Sequence, residues 1–304
     1  MRVLITGGTG FVGNRLAKKL MKNGHEVVIF ASYGEAPKGA KLIKGDILNK
    51  KEVEKTLSPL PDVVYHLAAI LDETDPMMKQ VNIEGTINFL KKGIKRFILV
   101  SSVGVLGEAR LPLDEDAPYN PDTGYEESKM QQEKLVKESG IPYTIIRSTI
   151  AYGPNKFWSD IIKAAKKRYP MIGSGKNFWH LIYVDDMVDA LALALKPEAK
   201  NEIFNIADGD PKTYREIYKD IADALGVEMP TKTVPVFLAK LLARLKEKRR
   251  ESDTTTKVSS ITRLVRNRIV DISKARRVLG YKPKYDFKTG IRKTIKELGS
   301  EYLD

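Results

Sequence analysis

The N-terminal stretch reads Arg2-Val-Leu-Ile-Thr-Gly-Gly-Thr-Gly-Phe-Val-Gly13. Its first part is mostly apolar and β-branched, which predicts a short buried strand that ends at Thr6. From Val12 onward the apolar residues recur at helical spacing, and they predict a helix that ends before Gly24. Val27-Val-Ile-Phe30 then predicts a second buried strand. A strand, a glycine-rich turn, a helix and a parallel strand are typical of the first unit of a dinucleotide-binding sheet.

The three glycines Gly7, Gly10 and Gly13 stand three residues apart in this turn. A pyrophosphate can approach the N-terminus of a helix only where no Cβ atom blocks the backbone, and the helix must also pack closely on its strand. The alternative is a purely structural turn. Because a strand precedes the glycines and a helix follows them, the stretch predicts a cofactor-binding turn.

The composition is that of a chain able to bury a large core. It has 304 residues, of which 42% are hydrophobic, and it has no cysteine, so disulfides and thiolate chemistry are excluded. The chain opens directly into a strand without a charged and apolar leader, and no apolar run is long enough to span a membrane. We therefore expect a cytoplasmic protein with one large domain or two unequal ones.

The formal net charge of +13 raises the question of a nucleic-acid partner. Residues 240–277 contain thirteen Lys and Arg but four Asp and Glu, so most of the excess lies in one segment. No pattern typical of DNA or RNA recognition accompanies it, and we expect no such partner. Residues 234–245 predict an amphipathic helix that continues into the basic run 246–250. We expect a helix with a solvated end; contact with an anionic membrane surface or substrate tail is the alternative.

Strands and helices alternate through the first half of the chain. Further buried strands are predicted at 41–46, 63–67, 97–101 and 143–147. This alternation predicts a doubly wound α/β fold of the Rossmann type, with a parallel sheet and helices on both faces. We expect a dinucleotide-binding domain at 1–153 and a smaller, mixed α/β substrate lobe at 154–304. Short strands near 180–184 and 203–206 are expected to return to the first domain.

Two helix starts carry capping signals. Asp75 followed by Pro76 predicts an N-cap and a first helical position, for a helix that ends near residue 92. Thr123 with Glu126 three residues later predicts a capping box. The helix that begins there follows the strand 97–101.

On that helix, Tyr125 and Lys129 stand four residues apart, so both side chains project from one face. The spacing alone is a weak signal, because thirteen tyrosines and many lysines produce such pairs by chance. Tyr152 and Lys156 form another pair, but a Gly-Pro dipeptide between them would break a helix. Context selects the first pair, since its helix follows a strand that ends in Ser101-Ser102.

Together these motifs resemble those of the extended short-chain dehydrogenases/reductases, in the NAD-dependent epimerase/dehydratase group. The pattern is matched in order over nearly the whole chain, at 6–13, 46–47, 66–69, 82–86, 101–102, 125–129, 147, 152–154, 184–186, 271–275 and 279–283. The resemblance implies an NAD(P)-dependent oxidoreductase that moves a hydride at a secondary alcohol or its ketone. A nucleotide-sugar epimerase or dehydratase is the first alternative, and a non-catalytic dinucleotide-binding protein is the second.

The resemblance also implies residue roles. Tyr125 would be the general acid/base, Lys129 would lower its pKa and bond the nicotinamide ribose, and Ser102 would hold the substrate oxygen. Asp46 and Ile47 would contact the adenine, whereas Asn82 would fix local backbone. The implied cofactor contacts are Gly7, Gly10, Phe11, Val12, Gly13, Ala31, Ser32, Asp46, Ile47, Leu67, Ala68, Ala69, Asn82, Ser101, Tyr125, Lys129 and Thr149. The three histidines are not clustered, so we expect no metal site, and His66 is expected to be buried structure.

The sequence departs from the family pattern where NAD-preferring members carry an acidic residue at the end of the second strand. Ala31, followed by Ser32, stands at that place. Without a carboxylate a 2′-phosphate is not repelled, and Lys38 or Lys41 could reach it. The cofactor is therefore expected to be NADP or NAD, with NADP preferred.

A second departure concerns the substrate. Nucleotide-sugar epimerases of this group usually have an asparagine and an arginine where Ile150 and Trp179 stand here. With His180 and Ser102, these residues are the candidate substrate contacts, and their character favours a more apolar small molecule over a UDP-sugar. The sequence leaves homodimerisation open.

Overall fold

The computed structural model describes residues 1–248 and 258–299. The strands are β1 (Arg2–Thr6), β2 (Glu26–Ala31), β3 (Lys41–Lys44), β4 (Val63–His66), β5 (Arg96–Ser102), β6 (Tyr143–Ser148), β7 (Ile150–Tyr152), β8 (Met171–Ile172), β9 (Phe178–Trp179), β10 (Leu181–Tyr183), β11 (Glu202–Ile206), β12 (Lys212–Thr213) and β13 (Thr233–Val234). The helices are α1 (Phe11–Lys22), α2 (Lys50–Thr56), α3 (Met78–Phe89), α4 (Gly124–Glu138), α5 (Lys156–Lys166), α6 (Val184–Leu193), α7 (Tyr214–Leu225), α8 (Val236–Lys248), α9 (Val258–Leu264) and α10 (Phe287–Leu298).

The central sheet has seven parallel strands in the order β11-β6-β5-β4-β1-β2-β3. Separate apolar clusters cover its two faces, one with α1 and α6 and the other with α2, α3 and α4. The predicted Rossmann-like fold is confirmed. The strand order reverses between β1 and β4, and ligands of such sheets bind at the carboxyl ends of the strands beside this point.

The two strands expected to return to the first domain pair with different partners. β11 pairs with β6 at the edge of the central sheet, in register Ile206 to Ser148. β10 does not join the central sheet, because it pairs with β7, at residues 150–152, in a separate two-stranded sheet. Thr149 N–H donates to Ile206 O at 3.2 Å, which continues the contact between β6 and β11 past Ser148. β7 begins at the next residue and pairs with β10.

One of the two predicted helix starts is wrong, and the other is confirmed at its N-cap. The N-cap of α3 is Met77, because Asp75 forms a preceding turn in which its carboxylate accepts from Met77 N at 2.8 Å. Thr123 does cap α4, with its hydroxyl accepting from Glu126 N at 3.3 Å. However, the Glu126 carboxylate accepts from Asp122 N at 2.9 Å, so half of the capping box is formed.

A second apolar centre lies beyond the sheet, among β7, β10, α5, α7 and α10. Aromatic rings fill it: the Tyr152 ring lies 5.7 Å from the ring of Trp158 and 4.9 Å from that of Phe287. None of the helices in the two described ranges is long and apolar enough to cross a bilayer.

Candidate functional site

The glycine turn after β1 is held in a conformation that side chains would obstruct. Gly7 has φ +69°, and a Cβ placed there would lie 2.9 Å from Ala68 N. A Cβ on Gly13 would collide with the carbonyl oxygen of Gly7. Both positions therefore require glycine because the backbone of the turn, the helix and the next loop touch one another.

The N-terminus of α1 is suited to an anion. Its N-cap is Gly10, which has no side chain to accept from the first-turn N–H groups, and no acidic residue lies in that turn. The backbone N–H groups of Phe11, Val12 and Gly13 belong to this first turn, where the helix dipole favours negative charge. The residues present thus fit the pyrophosphate of a dinucleotide.

The end of β2 lies beside β3 at the same edge of the sheet. Ala31 is buried and Ser32 is exposed, so no carboxylate occupies the place that binds ribose hydroxyls in NAD-preferring relatives. The cation nearest in register is Lys44, which pairs with Ala31 across the two strands. Lys41 pairs with Val28, three residues before the strand end, or about 10 Å from it. Lys44 is therefore better placed than Lys41, and the sequence alone did not single it out.

The turn after β3 contains the expected adenine contacts. Asp46 is exposed, and its Oδ1 accepts from Leu48 N at 2.9 Å. Ile47 is buried, and its side chain packs under Gly85 of α3. A nucleotide could therefore contact the side chain of Asp46, whereas at Ile47 it could contact the backbone.

The loop after β4 lies against the glycine turn. Leu67 N donates to Thr6 O and Ala68 N donates to Thr6 Oγ1, both at 3.2 Å. With Ala69, these residues form a wall beside the glycine turn, near the switch point. Their contact with a dinucleotide stays a prediction.

Asn82 and His66 are buried beneath that wall. The Asn82 amide accepts from Ile70 N at 2.8 Å and donates to Ile70 O at 3.1 Å, which fixes the backbone as expected. His66 lies between the hydroxyls of Thr6 and Thr86, at 3.0 and 3.1 Å. Burial lowers the His66 pKa to about 3, so this imidazole is neutral and structural.

The two serines at the end of β5 have different surroundings. Ser101 donates to Glu133 Oε1 at 2.5 Å and is buried, so any contact it makes with a cofactor falls to its backbone. Ser102 is half-buried, and its hydroxyl oxygen accepts from Gly104 N at 3.1 Å. This bond caps a short 3-10 helix, Val103–Leu106, and fixes the Ser102 side chain beside α4.

Tyr125 and Lys129 lie in the first turns of α4, as predicted from their spacing. The Lys129 ammonium is buried, donates to Val100 O at 2.9 Å and lies 5.9 Å from the centre of the Tyr125 ring. Burial lowers the Lys129 pKa to about 8, and the charge of Glu133 raises it. Lys129 thus remains mostly protonated at neutral pH, at the end of the strand that carries Ser102.

A group of arginines beside Tyr125 was missed by the sequence reasoning. Burial raises the Tyr125 pKa, while the charges of Arg263 and Arg268 lower it. Arg268 is paired with Glu126, the neighbour of Tyr125, and Arg266 Nη1 lies 3.2 Å from Asp122 Oδ2. The signal was present in the basic segment 240–277, where Arg266 and Arg268 alternate with other residues at the spacing of an extended strand.

Trp179 and His180 hold that arginine segment in place. Trp179 is buried and its Nε1 donates to Leu264 O at 3.0 Å. His180 accepts from Val270 N at 3.4 Å and lies 3.1 Å from Asp208 O, so both ring nitrogens are engaged. These two residues therefore give their polar atoms to the protein, and their contact with a substrate stays a prediction.

The remaining expected contacts lie at the end of β6. The Thr149 hydroxyl donates to Ile206 O at 3.3 Å, so it too is used within the protein. Ile150 is half-buried in β7 and pairs with Leu181. Among the residues of the two described ranges, no group of three His, Asp or Glu could hold a metal ion.

The fold and the glycine turn define a dinucleotide-binding protein of the Rossmann class. The model of the NAD dependent epimerase/dehydratase family matches residues 3–207, and the chain belongs to this family. The resemblance inferred from the motifs is confirmed, and the chain is an NAD(P)-dependent enzyme of this family.

Individual relatives match this chain over nearly its whole length. A UDP-glucose 4-epimerase from Vibrio cholerae is 32% identical and covers 96% of this chain and 94% of its own. The crystal structure of a UDP-glucose 4-epimerase from Thermotoga maritima with UDP-glucose has a TM-score of 0.82 and 26% identity, with full coverage of both chains. A UDP-glucuronic acid 4-epimerase from Bacillus cereus in complex with NAD has the same TM-score at 24% identity, again with full coverage.

Proposed function

We propose that this enzyme is an epimerase that oxidises and then re-reduces a secondary hydroxyl of a sugar carried on a nucleoside diphosphate. The observation that carries the proposal is the grouping at the carboxyl edge of the sheet. Tyr125 and Lys129 share a face of α4, Ser102 ends the adjacent strand, and the charges of Arg263 and Arg268 reach the tyrosine.

The proton chemistry is assigned to this chain's own side chains. The Tyr125 oxygen takes the proton of the sugar hydroxyl and later returns it, while the Ser102 hydroxyl donates to the same sugar oxygen. Because burial opposes the tyrosinate, Arg263, Arg268 and the Lys129 ammonium are needed to stabilise it. When bound, the oxidised nicotinamide supplies the hydride acceptor and a further positive charge.

The arginines also bear on the substrate class. The expectation of an apolar substrate rested on Ile150 and Trp179 standing where phosphate and base donors usually stand. Trp179 supports Leu264 instead, and the segment around Leu264 brings the charges of Arg263 and Arg268 to Tyr125. Guanidinium groups bind phosphates in a bidentate manner. Because Arg268 is paired with Glu126, Arg263 is the guanidinium that we assign to the diphosphate. UDP-sugars are therefore our first candidates, as the names of the relatives also suggest.

For the cofactor, two observations point in different directions. NAD is bound in the structure of a relative, whereas Lys44 beside Ala31 offers a cation to a 2′-phosphate. We infer that the enzyme accepts NAD and tolerates NADP, with Lys44 rather than Lys38 or Lys41 deciding the ratio.

Interconversion of UDP-glucose and UDP-galactose, and of their N-acetylated counterparts, tests the proposal. The enzyme loaded with NAD should convert each sugar without net change of cofactor absorbance at 340 nm. Tyr125→Phe should lose at least a hundredfold in kcat, whereas Tyr169→Phe, at an exposed tyrosine away from the site, should not. Stoichiometric reduction of NAD by an alcohol, with no epimerisation, would favour a simple oxidoreductase instead.

A further inference from the structure

The outward face of α8 is apolar. Phe237, Leu241 and Leu245 recur every four residues, and Leu238 and Leu242 lie one position further on. All five side chains are between 38% and 73% exposed. The opposite face of the helix is buried through Ala239 and Ala243. This helix is therefore apolar on the side that faces away from the protein, which is the reverse of an ordinary surface helix.

Cationic residues border this apolar face on both sides. At 100° per residue, Arg244 and Lys240 flank one border and Lys246 flanks the other. Glu247 is the acidic residue of the helix, and it lies toward the buried side. The basic run continues in sequence with Arg249 and Arg250, which lie outside the described residues.

We propose that α8 is a docking surface for an anionic lipid bilayer. An interfacial helix buries an apolar face to the depth of the acyl boundary while lysine and arginine at its borders reach the headgroups. The face centred on Leu241, with Arg244 and Lys246 at its borders, has this arrangement. Each cation near an anionic surface strengthens binding severalfold, so apolar and charged residues act together.

A second copy of the chain fits this face less well. In a two-fold dimer the same face meets itself, and Arg244 and Lys246 of the two copies would face like charges. Five half-exposed apolar side chains also offer only on the order of 400 Å², half of what each partner buries in a stable interface. An anionic bilayer satisfies both the apolar face and its cationic borders.

The docking surface is one helix away from the candidate site. Ala239 and Ala243 pack on Ile261 of α9. The same helix carries Arg263, whose charge reaches Tyr125. A bilayer bound to α8 would therefore hold the catalytic side of the sheet close to the membrane surface, whatever substrate the enzyme takes.

Flotation with vesicles tests this proposal on the full-length protein. Vesicles of phosphatidylcholine alone are compared with vesicles containing one third phosphatidylglycerol, at low and high salt. We expect flotation with the anionic vesicles, weakened by salt. Phe237→Ser/Leu241→Ser/Leu245→Ser and Arg244→Gln/Lys246→Gln should each reduce binding by about tenfold or more. The matched controls are Leu111→Ser, at an exposed loop residue, and Lys50→Gln/Lys51→Gln on the exposed side of α2.

Thermal unfolding confirms that each variant is folded, since all the substituted side chains reach solvent. Equal binding to neutral and anionic vesicles, or binding unaffected by both α8 variants, would overturn the proposal. So would the absence of vesicle binding together with a dimer in analytical ultracentrifugation that the serine variant dissociates. Epimerase activity is assayed separately with soluble substrates, so failure of either proposal is recognised independently.

Discussion

Arg147 and Glu133 form an ion pair in the interior, with 2.9 Å between Nη2 and Oε2 and a second bond from Nε at 3.0 Å to Oε1. Neither side chain is more than 2% exposed. Glu133 also accepts from the hydroxyls of Ser101 and Tyr119. Because Glu133 lies one turn after Lys129 on α4, this pair fixes the helix that carries Tyr125 against the ends of two strands.

Removal of one partner of this ion pair should destabilise the folded protein. In Glu133→Gln the guanidinium of Arg147 loses its counter-charge in a buried site, and the free energy of unfolding should fall by about 3–5 kcal/mol. Urea unfolding measures the loss. Glu133→Gln/Arg147→Met should recover part of it, because the unpaired charge is gone. A loss below about 1 kcal/mol in the single variant would show that the pair is solvated.

Arg263 should set the pH dependence of turnover. Its charge lowers the Tyr125 pKa, so Arg263→Gln should raise that pKa. The acidic limb of the kcat/KM profile should then shift to higher pH, by up to about one pH unit, because Tyr125 must be deprotonated to act as the base. Arg277→Gln, at an exposed arginine elsewhere, is the control. An unchanged limb would exclude Arg263 from this role.

Because Lys129 is buried, the free energy of unfolding should rise as the pH increases through the mildly alkaline range. Its pKa in the folded protein is about 8, below the ordinary value of 10.5, so between these values the unfolded chain binds more protons. Stability therefore rises with pH in this window, by about 2 kcal/mol between pH 8 and 10. Urea unfolding across this range should show the rise in the wild type but not in Lys129→Met. If the free energy of unfolding changed with pH in the same way in both proteins, the lowered pKa of Lys129 would be contradicted.

The fold was accessible from the sequence because its signals are local. Each buried strand is a short apolar run, and the glycine turn has a fixed spacing between a strand and a helix. The candidate catalytic trio was located in the same way, since Tyr125 and Lys129 share one helix and Ser102 ends the strand before it.

What the sequence could not supply were contacts between distant segments. Trp179 was interpreted as a substrate contact, but its N–H is satisfied by Leu264, 85 residues further along. The same segment brings Arg268 to Glu126. A separate strand pairing, between β2 and β3, brings Lys44 beside Ala31. Such contacts depend on strand register and tertiary packing. The spacing of residues within one segment of sequence does not predict them.

Lys44 should control the choice between the two cofactors. It is exposed at the end of β3, in register with Ala31, where a 2′-phosphate on the adenosine ribose would lie in this class of fold. Lys44→Glu should lower the affinity for NADP by about tenfold and leave that for NAD within about twofold. Lys41→Glu is the matched control, since Lys41 lies three residues before the strand end. Fluorescence titration with each reduced cofactor measures the ratio, and an equal effect of both variants would remove Lys44 from this role.

The glycine turn should tolerate no side chain at Gly13. A Cβ there would collide with the carbonyl oxygen of Gly7 and approach the Cα of Gly8, and both contacts are backbone, so neither can rotate away. Gly13→Ala should therefore push α1 off β1, with at least a tenfold loss of NAD affinity in titration calorimetry and a lower melting temperature. Gly209→Ala is the control, because a Cβ at Gly209 meets nothing within 4 Å. Its binding and melting temperature should match those of the wild type. If Gly13→Ala also binds NAD as tightly as the wild type, the close approach of helix and turn is not what forms the pyrophosphate site.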